Sequence, residues 1–333
     1  MLGLSLRKFG VAAIAGAGAL ALATVASAQT KWDASVPWGP SEFHTKNLVR
    51  FAEEVKRVTN GEVEITVHSG GSLGIKGAES LRSVADGVVP MAEMAGFQQV
   101  GEEPILGFEA LPFLVDNYDQ LEILTKMIRP LYEAAFERNN QKLLYMVPWP
   151  SQNIFTKTEV NSLADIKGKK IRVYDKNSTE LMRTIGMSPL LIPSPDIVPT
   201  LAAGGLDAVM TSGTTAVAQK YWEFLDHTYR TNHLWALNEL TVNLDAWNRL
   251  SPANQAAISE LAAKLEPEFW AVSRNEDSIK LAELEKQGMT VGPPAEDFIA
   301  ALRKTGRGMW SGFTERVEGT KPILDAFIAQ TGK

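Results

Sequence analysis

The sequence contains no cysteine among its 333 residues. Disulfide bonds, thiol catalysis and cysteine-ligated metal sites are therefore excluded together. Basic residues are outnumbered as well: 33 Lys and Arg against 39 Asp and Glu give a net charge of −6, and no dense basic run occurs. This balance argues against a nucleic-acid partner. A chain of this length can bury a large core in about two domains without covalent cross-links.

The common sequence signatures of active sites are missing too. There is no Gly-x-Gly-x-x-Gly, no phosphate-binding loop that ends in Gly-Lys-Ser/Thr, and no Gly-x-Ser-x-Gly turn. None of the histidines pairs in a His-x-x-x-His pattern, so each is interpreted as a structural or surface residue: His44, His68, His227 and His233. We therefore expect a protein that is not an enzyme and that carries neither a metal nor a cofactor.

A long apolar run is found at the N-terminus alone. Arg7 and Lys8 precede an uncharged run over residues 11–25, and Ala26-Ser27-Ala28 supplies the small residues that signal peptidase recognises. The run is too short and too rich in Ala and Gly for a stable membrane span. These features predict a signal peptide over residues 1–28, cleavage after Ala28, no membrane anchor, and a mature periplasmic protein.

The spacing of apolar residues predicts an α/β fold. Strands are predicted at residues 31–36, 63–67, 142–147, 170–174 and 206–210. Helices are predicted at residues 41–59, 178–185, 195–203, 252–287, 295–305 and 323–330. The alternation of strand and helix runs through the first part of the chain and restarts after its middle, with no flexible linker between. Two lobes that share a cleft, each with a largely parallel sheet, are therefore expected.

One segment is similar to a known family. Leu163 to Val173 resembles the L-x-D-l-K-G-l-K-I-R-V motif of the solute-binding subunits of tripartite ATP-independent periplasmic (TRAP) transporters, the DctP family. Further stretches agree with that family in order and spacing: Phe51–Val55 with Asn60-Gly61, Ser72–Gly74 with Glu79, Ala110–Leu114, and Leu201 with Gly205–Asp207. The resemblance covers most of the mature chain.

The resemblance implies a two-lobed periplasmic-binding-protein fold with a ligand cleft between the lobes and a long connecting helix. Lobe I is expected to comprise residues 29–150 and about 239–278, and lobe II residues 151–238 and about 279–333. The implied function is that of an extracytoplasmic receptor, which delivers a small organic acid to membrane permease subunits driven by an ion gradient. We expect this receptor to be a monomer.

Arg172 is the arginine of the K-I-R-V motif, and the resemblance implies that it binds the ligand carboxylate. A planar guanidinium can meet a carboxylate with two parallel hydrogen bonds. Two departures from the family's pattern bear on the ligand. Asn153 stands where many relatives carry a second arginine, and Thr211 replaces an asparagine that contacts ligand. Both changes favour a monocarboxylate with an apolar or aromatic body over a dicarboxylate.

Further candidates follow from position in the chain. In two-lobed α/β proteins, ligands bind at the loops after the carboxyl ends of strands. Aromatic side chains at such places are Trp38, Phe97 and Trp149. Neutral hydrogen-bonding candidates are Tyr174, Ser194 and Ser212.

Two acidic residues are also compatible with a different class of ligand. Glu93 and Asp175 beside the cleft could receive an ammonium group, so a small amine, an amino alcohol or a zwitterion is the alternative ligand class. A binding protein for an ATP-driven (ABC-type) importer would share the fold class, and an exported hydrolase or lyase is a more distant alternative.

Overall fold

The computed structural model describes residue 2 and residues 29–333. The predicted signal peptide, residues 1–28, falls outside the described residues apart from Leu2. The strands are β1 (Thr30–Ser35), β2 (Val63–His68), β3 (Met91–Ala95), β4 (Gln141–Pro148), β5 (Gln152–Thr156), β6 (Lys170–Val173), β7 (Ser188–Leu191), β8 (Ala208–Ser212), β9 (His227–Tyr229), β10 (Leu237–Asn243) and β11 (Thr290–Gly292). The helices are α1 (Phe43–Val58), α2 (Ser80–Ala85), α3 (Tyr118–Arg138), α4 (Lys176–Thr184), α5 (Ile197–Ala202), α6 (Gly213–Ala218), α7 (Leu244–Asn248), α8 (Pro252–Lys286), α9 (Glu296–Arg316) and α10 (Thr320–Thr331).

The strands form two separate sheets. Their orders are β2-β1-β3-β10-β4 in the first sheet and β11-β9-β5-β8-β6-β7 in the second. Both sheets are largely parallel, as predicted, but each contains one reversed strand. Strand β10 runs antiparallel to β3 and β4, and β5 runs antiparallel to β8 and β9.

The reversed strands begin where the chain crosses between the sheets. The first crossing joins β4 to β5 and the second joins β9 to β10. The two crossing segments run side by side: the Trp149 amide donates to the Ala236 carbonyl and the Gln152 amide to the Leu234 carbonyl, both at 2.9 Å. Such paired crossings suit a hinge, because a change of a few backbone dihedrals can rotate one sheet relative to the other.

Helix α8 spans both halves of the molecule, as the sequence predicts. The Ser251 side chain caps it by accepting from the Asn254 amide, and Pro252 occupies the first turn, where its missing N–H costs nothing. The helix packs against α1 and β4 beside the first sheet and against α6 and β11 beside the second. Within residues 29–333, no helix combines the length and the apolarity that a membrane span requires.

Several predicted boundaries need correction. Strand β8 covers residues 208–212 and not 206–210, and α9 continues to Arg316, well beyond residue 305. Helix α3 is not predicted from the sequence at all. Helix α10 packs against α3 at the side of the first sheet, although the predicted boundaries place α10 in lobe II. The Lys333 ammonium extends this contact by donating to the Phe113 carbonyl at 2.9 Å.

Candidate functional site

A small cavity lies between the two sheets, at the ends of their strands. Its volume is about 30 Å³, which is space for about two water molecules. Its walls come from loops or first turns after β1, β3, β4, β6 and β7, from the start of β5, from β6 and β8, and from α6. The lining residues are Trp38, Phe97, Gln98, Trp149, Gln152, Arg172, Tyr174, Ser194, Thr211 and Thr215.

Arg172 supplies the positive charge of this cavity. It belongs to β6, and its side chain is 4% exposed. Its Nε donates to the Ile192 carbonyl at 2.9 Å and its Nη1 to the Met210 carbonyl at 3.1 Å. Both acceptors belong to the second sheet or the loop beside it, so the guanidinium is fixed in orientation by backbone groups of its own half of the molecule.

The guanidinium is buried without a carboxylate in contact. Among the described residues, no Asp or Glu oxygen lies within 4.0 Å of Arg172, although the guanidinium lies 5.4 Å from the Tyr174 ring centroid. Burial lowers the pKa of Arg172, while Tyr221, Tyr174 and Asp175 act in the opposite direction. Burying a charge is costly unless an ion pair or hydrogen bonds compensate it. This site is therefore suited to receive an anion.

Aromatic rings form much of the remaining wall. Trp38 and Trp149 contact each other edge to face, with ring centroids 5.1 Å apart and an interplanar angle of 63°. Phe97 and Tyr174 make a similar contact, also at 5.1 Å, with an angle of 68°. Such rings offer a flat apolar surface to the body of a ligand beside the charge of Arg172.

Seven of the eleven predicted site residues line this cavity, and four lie behind its walls. Asn153 is fully buried, and its side chain hydrogen bonds with the backbone of Ser151 and Asn232. The Ser212 hydroxyl caps α6 by accepting from the Thr215 amide at 3.3 Å.

The two acidic candidates also have structural partners. Asp175 caps α4: its Oδ1 accepts from the Ser178 amide at 2.7 Å and from the Ser178 hydroxyl. Burial raises the pKa of Asp175 to about 6, although the hydrogen bonds with Ser178 and the charge of Arg172 lower it. Glu93 is fully buried within the first sheet, where it contacts His44, Tyr145 and Asn238.

Three lining residues are not predicted from the sequence: Gln98, Gln152 and Thr215. Gln98 follows Phe97 in the loop after β3, so the prediction of Phe97 as a site residue could have been extended to Gln98. Gln152 begins β5 directly beside the first crossing. Thr215 lies in the first turn of α6, and nothing in its sequence surroundings indicates that this turn faces the cleft.

A larger depression elsewhere on the surface is less suited to bind a charged metabolite. A groove of about 760 Å³ runs between α4 and α9, and its charged lining side chains, Lys167, Glu180, Lys304 and Arg316, are all exposed. Solvent screens such charges strongly. Among residues 29–333, no cluster of three or more His, Asp and Glu side chains has an arrangement that could hold a metal ion.

Comparisons with known proteins agree with one another. Residues 34–316 match the family model of bacterial extracellular solute-binding proteins, family 7 (DctP). A solute-binding protein of Albidiferax ferrireducens is 24% identical over 296 residues, which cover 87% of each chain.

Two solved structures are more similar in sequence. DctP7 of Bordetella pertussis, an extracytoplasmic solute receptor that binds pyroglutamic acid, is 29% identical with a TM-score of 0.87. A TRAP solute-binding protein from an unidentified marine microbe, specific for pyroglutamate, is 31% identical with a TM-score of 0.86. Each alignment covers 90% of this chain and 99% of the other.

Proposed function

The chain belongs to family 7 of the bacterial extracellular solute-binding proteins, the DctP family, and on that premise we propose that it captures a small cyclic monocarboxylate. As a member of this family it is a receptor for small organic acids and not an enzyme. The first candidate ligand is pyroglutamate, which two relatives at 29% and 31% identity bind. Arg172 is proposed to hold the carboxylate of this ligand.

The observation that carries the proposal is the buried guanidinium of Arg172 without a contacting carboxylate. A ligand carboxylate would complete an ion pair in a buried site bordered by aromatic rings, where each hydrogen bond is worth more than at a surface. Two backbone carbonyls hold the guanidinium in place and offset part of its desolvation cost in the folded chain. The ligand therefore meets an oriented cation.

The remainder of the wall favours a neutral and flat ligand body. Thr211 is neutral, Asn153 lies behind the wall, and no second cation lines the cavity among the described residues. A second carboxylate would thus be buried without a partner, which is unfavourable by several kcal/mol. The side-chain amides of Gln98 and Gln152 can donate to and accept from a lactam group.

An amine or a zwitterion is less well supported. The carboxyl groups that could have bound an ammonium group, Asp175 and Glu93, do not line the cavity. Asp175 accepts hydrogen bonds from Ser178, and Glu93 is contacted by three side chains. Family membership also favours a TRAP permease over an ATP-driven importer as the partner.

Binding is proposed to require opening and closure of the lobes. The rings of Trp38 and Phe97 are at most 7% exposed and Arg172 is 4% exposed, so a ligand reaches them only when the sheets separate. The lobes are proposed to be those predicted from the sequence, except that α10 belongs to lobe I because it packs against α3. Trp38 and Phe97 then lie in lobe I and Arg172 in lobe II, and the closed form alone engages all three. Because the ligand binds the closed form more tightly than the open form, it shifts the equilibrium toward the closed form.

The proposed maturation and assembly follow from the family. Proteins of the DctP family are periplasmic, and cleavage after Ala28 is proposed to release the mature chain. The receptor is proposed to act as a monomer that delivers its ligand to the permease subunits.

Native mass spectrometry of the freshly purified mature protein tests the proposal. The expected result is an added mass that equals a small monocarboxylic acid retained from the host. If the retained ligand, or the best stabiliser in a thermal-shift screen, is an amine or a dicarboxylate, the proposal is wrong.

A further inference from the structure

Behind the tryptophan wall of the cavity lies a chain of buried hydrogen bonds. The Trp149 indole N–H donates to Asn238 Oδ1 at 2.6 Å, and Asn238 Nδ2 donates to Glu93 Oε1 at 3.0 Å. The Tyr145 hydroxyl donates to Glu93 Oε2 at 3.0 Å. All these side chains are buried, and among them Trp149 alone lines the cavity.

Three adjacent strands of the first sheet carry the residues that form this chain of hydrogen bonds with Trp149. Glu93 of β3 and Tyr145 of β4 both pair with Leu240 of β10, and Asn238 lies two residues before Leu240. Cross-strand partners share a face, and so do alternate residues of one strand. Glu93, Tyr145 and Asn238 therefore point to the same side of the sheet, toward the indole of Trp149.

His44 joins the same carboxylate to both tryptophans. Its Nδ1 lies 2.8 Å from Glu93 Oε1, a close polar contact that does not meet hydrogen-bond geometry. The His44 ring lies 4.2 Å from the Trp149 ring and 5.9 Å from the Trp38 ring, measured between centroids. Glu93 thus acts on Trp149 through Asn238, and on both rings through His44.

Glu93 does not line the cavity, and its hydrogen-bond partners lie within the first sheet. Two hydrogen-bond donors, Asn238 and Tyr145, occupy its two oxygens, and the His44 ring lies in contact with one of them. Each oxygen of this buried carboxylate has a donor, and removal of the carboxylate would leave both donors without their acceptor. The position of the Glu93 side chain is therefore set by these protein contacts and does not depend on a ligand.

We propose that Glu93 is a positioning residue that, through Asn238 and His44, holds Trp149 and Trp38 as a rigid wall selective for flat cyclic acids. The inference rests on the proposed function, because the ligand that the wall receives is the proposed cyclic monocarboxylate. A rigid wall binds a flat ring without an ordering cost, whereas an acyclic acid loses internal freedom against the same surface. A variant that holds the two tryptophans less firmly should therefore show a smaller difference in affinity between cyclic and acyclic acids.

The first test measures selectivity by calorimetry, with L-pyroglutamate and with the acyclic N-acetylglycine, which carries the same carboxylate and amide groups. Asn238→Leu and Glu93→Gln are expected to weaken pyroglutamate binding about tenfold and to affect N-acetylglycine less. Thr241→Val is the matched control, because it removes a buried 2.7 Å hydrogen bond to Gln141 from the same strand, away from the cavity. It should leave the selectivity unchanged. An unchanged ratio of the two affinities in Asn238→Leu overturns the proposal.

The second test needs no ligand. The indole N–H resonance of Trp149 is assigned in ¹⁵N–¹H spectra by its disappearance in Trp149→Phe. Glu93→Gln is expected to shift this resonance through Asn238, whereas Thr241→Val is not. A Trp149 resonance that is insensitive to Glu93→Gln contradicts the proposal even if pyroglutamate binds. If the wild type binds neither acid but the resonance shifts, the proposed function fails while the positioning of Trp149 stands.

Discussion

Phe97 and Tyr174 meet edge to face across the cleft, with ring centroids 5.1 Å apart and an interplanar angle of 68°. Phe97 follows β3 of the first sheet and Tyr174 follows β6 of the second. Both rings line the cavity that contains Arg172. The contact therefore exists only when the two halves of the molecule are together, so the proposed closure of the cleft would form it and enclose the ligand.

A double-mutant cycle can measure this contact. Phe97→Leu and Tyr174→Leu should each weaken binding of L-pyroglutamate, and their effects should be coupled by about 0.5–1.5 kcal/mol, the range for such aromatic pairs. The measurement is calorimetric titration of the wild type, both single variants and the double variant. Phe108→Leu is the control, since Phe108 stacks on Phe313 away from the cavity. Effects that add within about 0.3 kcal/mol would show that the contact does not contribute to closure.

Asp175 distinguishes the acid ligand from the amine alternative. Asp175→Asn retains a good helix cap and removes a negative charge near Arg172, so we expect an equally stable protein that binds the acid as well or better. Asp175→Ala loses the cap of α4 and should reduce the free energy of unfolding by about 1 kcal/mol. Urea denaturation and calorimetry check both variants. A loss of all ligand binding in Asp175→Asn would instead favour an ammonium-bearing ligand.

Glu42 gives the protein a specific pH dependence. Burial raises the pKa of Glu42 from 4.5 to about 7, an effect that Glu276 reinforces and that Thr215, Lys46 and Lys280 oppose. The folded state therefore binds a proton that the unfolded chain releases between these two values. The contribution of Glu42 to stability is accordingly present below pH 4.5 and falls as the pH rises to about 7, by about 3 kcal/mol for a shift of this size.

Glu42→Gln should remove this part of the pH dependence. Glutamine stays neutral, so the variant is expected to be more stable than the wild type at pH 8, with no such advantage at pH 4.5. Urea denaturation at a series of pH values gives the free energies of unfolding. Glu53→Gln, at an exposed position on α1, is the control and should follow the wild-type curve. A Glu42→Gln curve parallel to that of the wild type would refute the role assigned to Glu42.

Much of the cavity could be predicted from the sequence because its residues follow strands. Trp38, Phe97, Trp149 and Tyr174 each stand a few residues after a strand, and Arg172 lies in the segment with the most specific resemblance. The ends of parallel strands meet at one edge of a sheet. Position in the chain therefore places Trp38, Phe97 and Trp149 at one edge of the first sheet, and Arg172 and Tyr174 at one edge of the second.

Side-chain direction could not be predicted in the same way. An acidic residue after a strand is a plausible ligand contact and an equally plausible helix cap, and only the folded structure shows that Asp175 Oδ1 caps α4 through Ser178. Glu93 lies on a strand whose five residues are all buried, so its partners on β4 and β10 become evident only when those strands are paired. Helix α3 is missed for a different reason: Pro130 lies in its interior, and a proline normally ends a helix.

The most direct test of the central claim is calorimetric titration of the mature protein with L-pyroglutamate, compared with Arg172→Ala and Arg172→Lys. We expect Arg172→Ala to weaken binding by about 2–5 kcal/mol, the range for removing one partner of a buried charged pair. Arg172→Lys should recover only part of this loss, because an ammonium lacks the planar fork. Arg183→Ala, at an exposed arginine of α4, should bind as the wild type does. If Arg172→Ala binds within about threefold of the wild type, Arg172 is not the carboxylate anchor and the account is wrong.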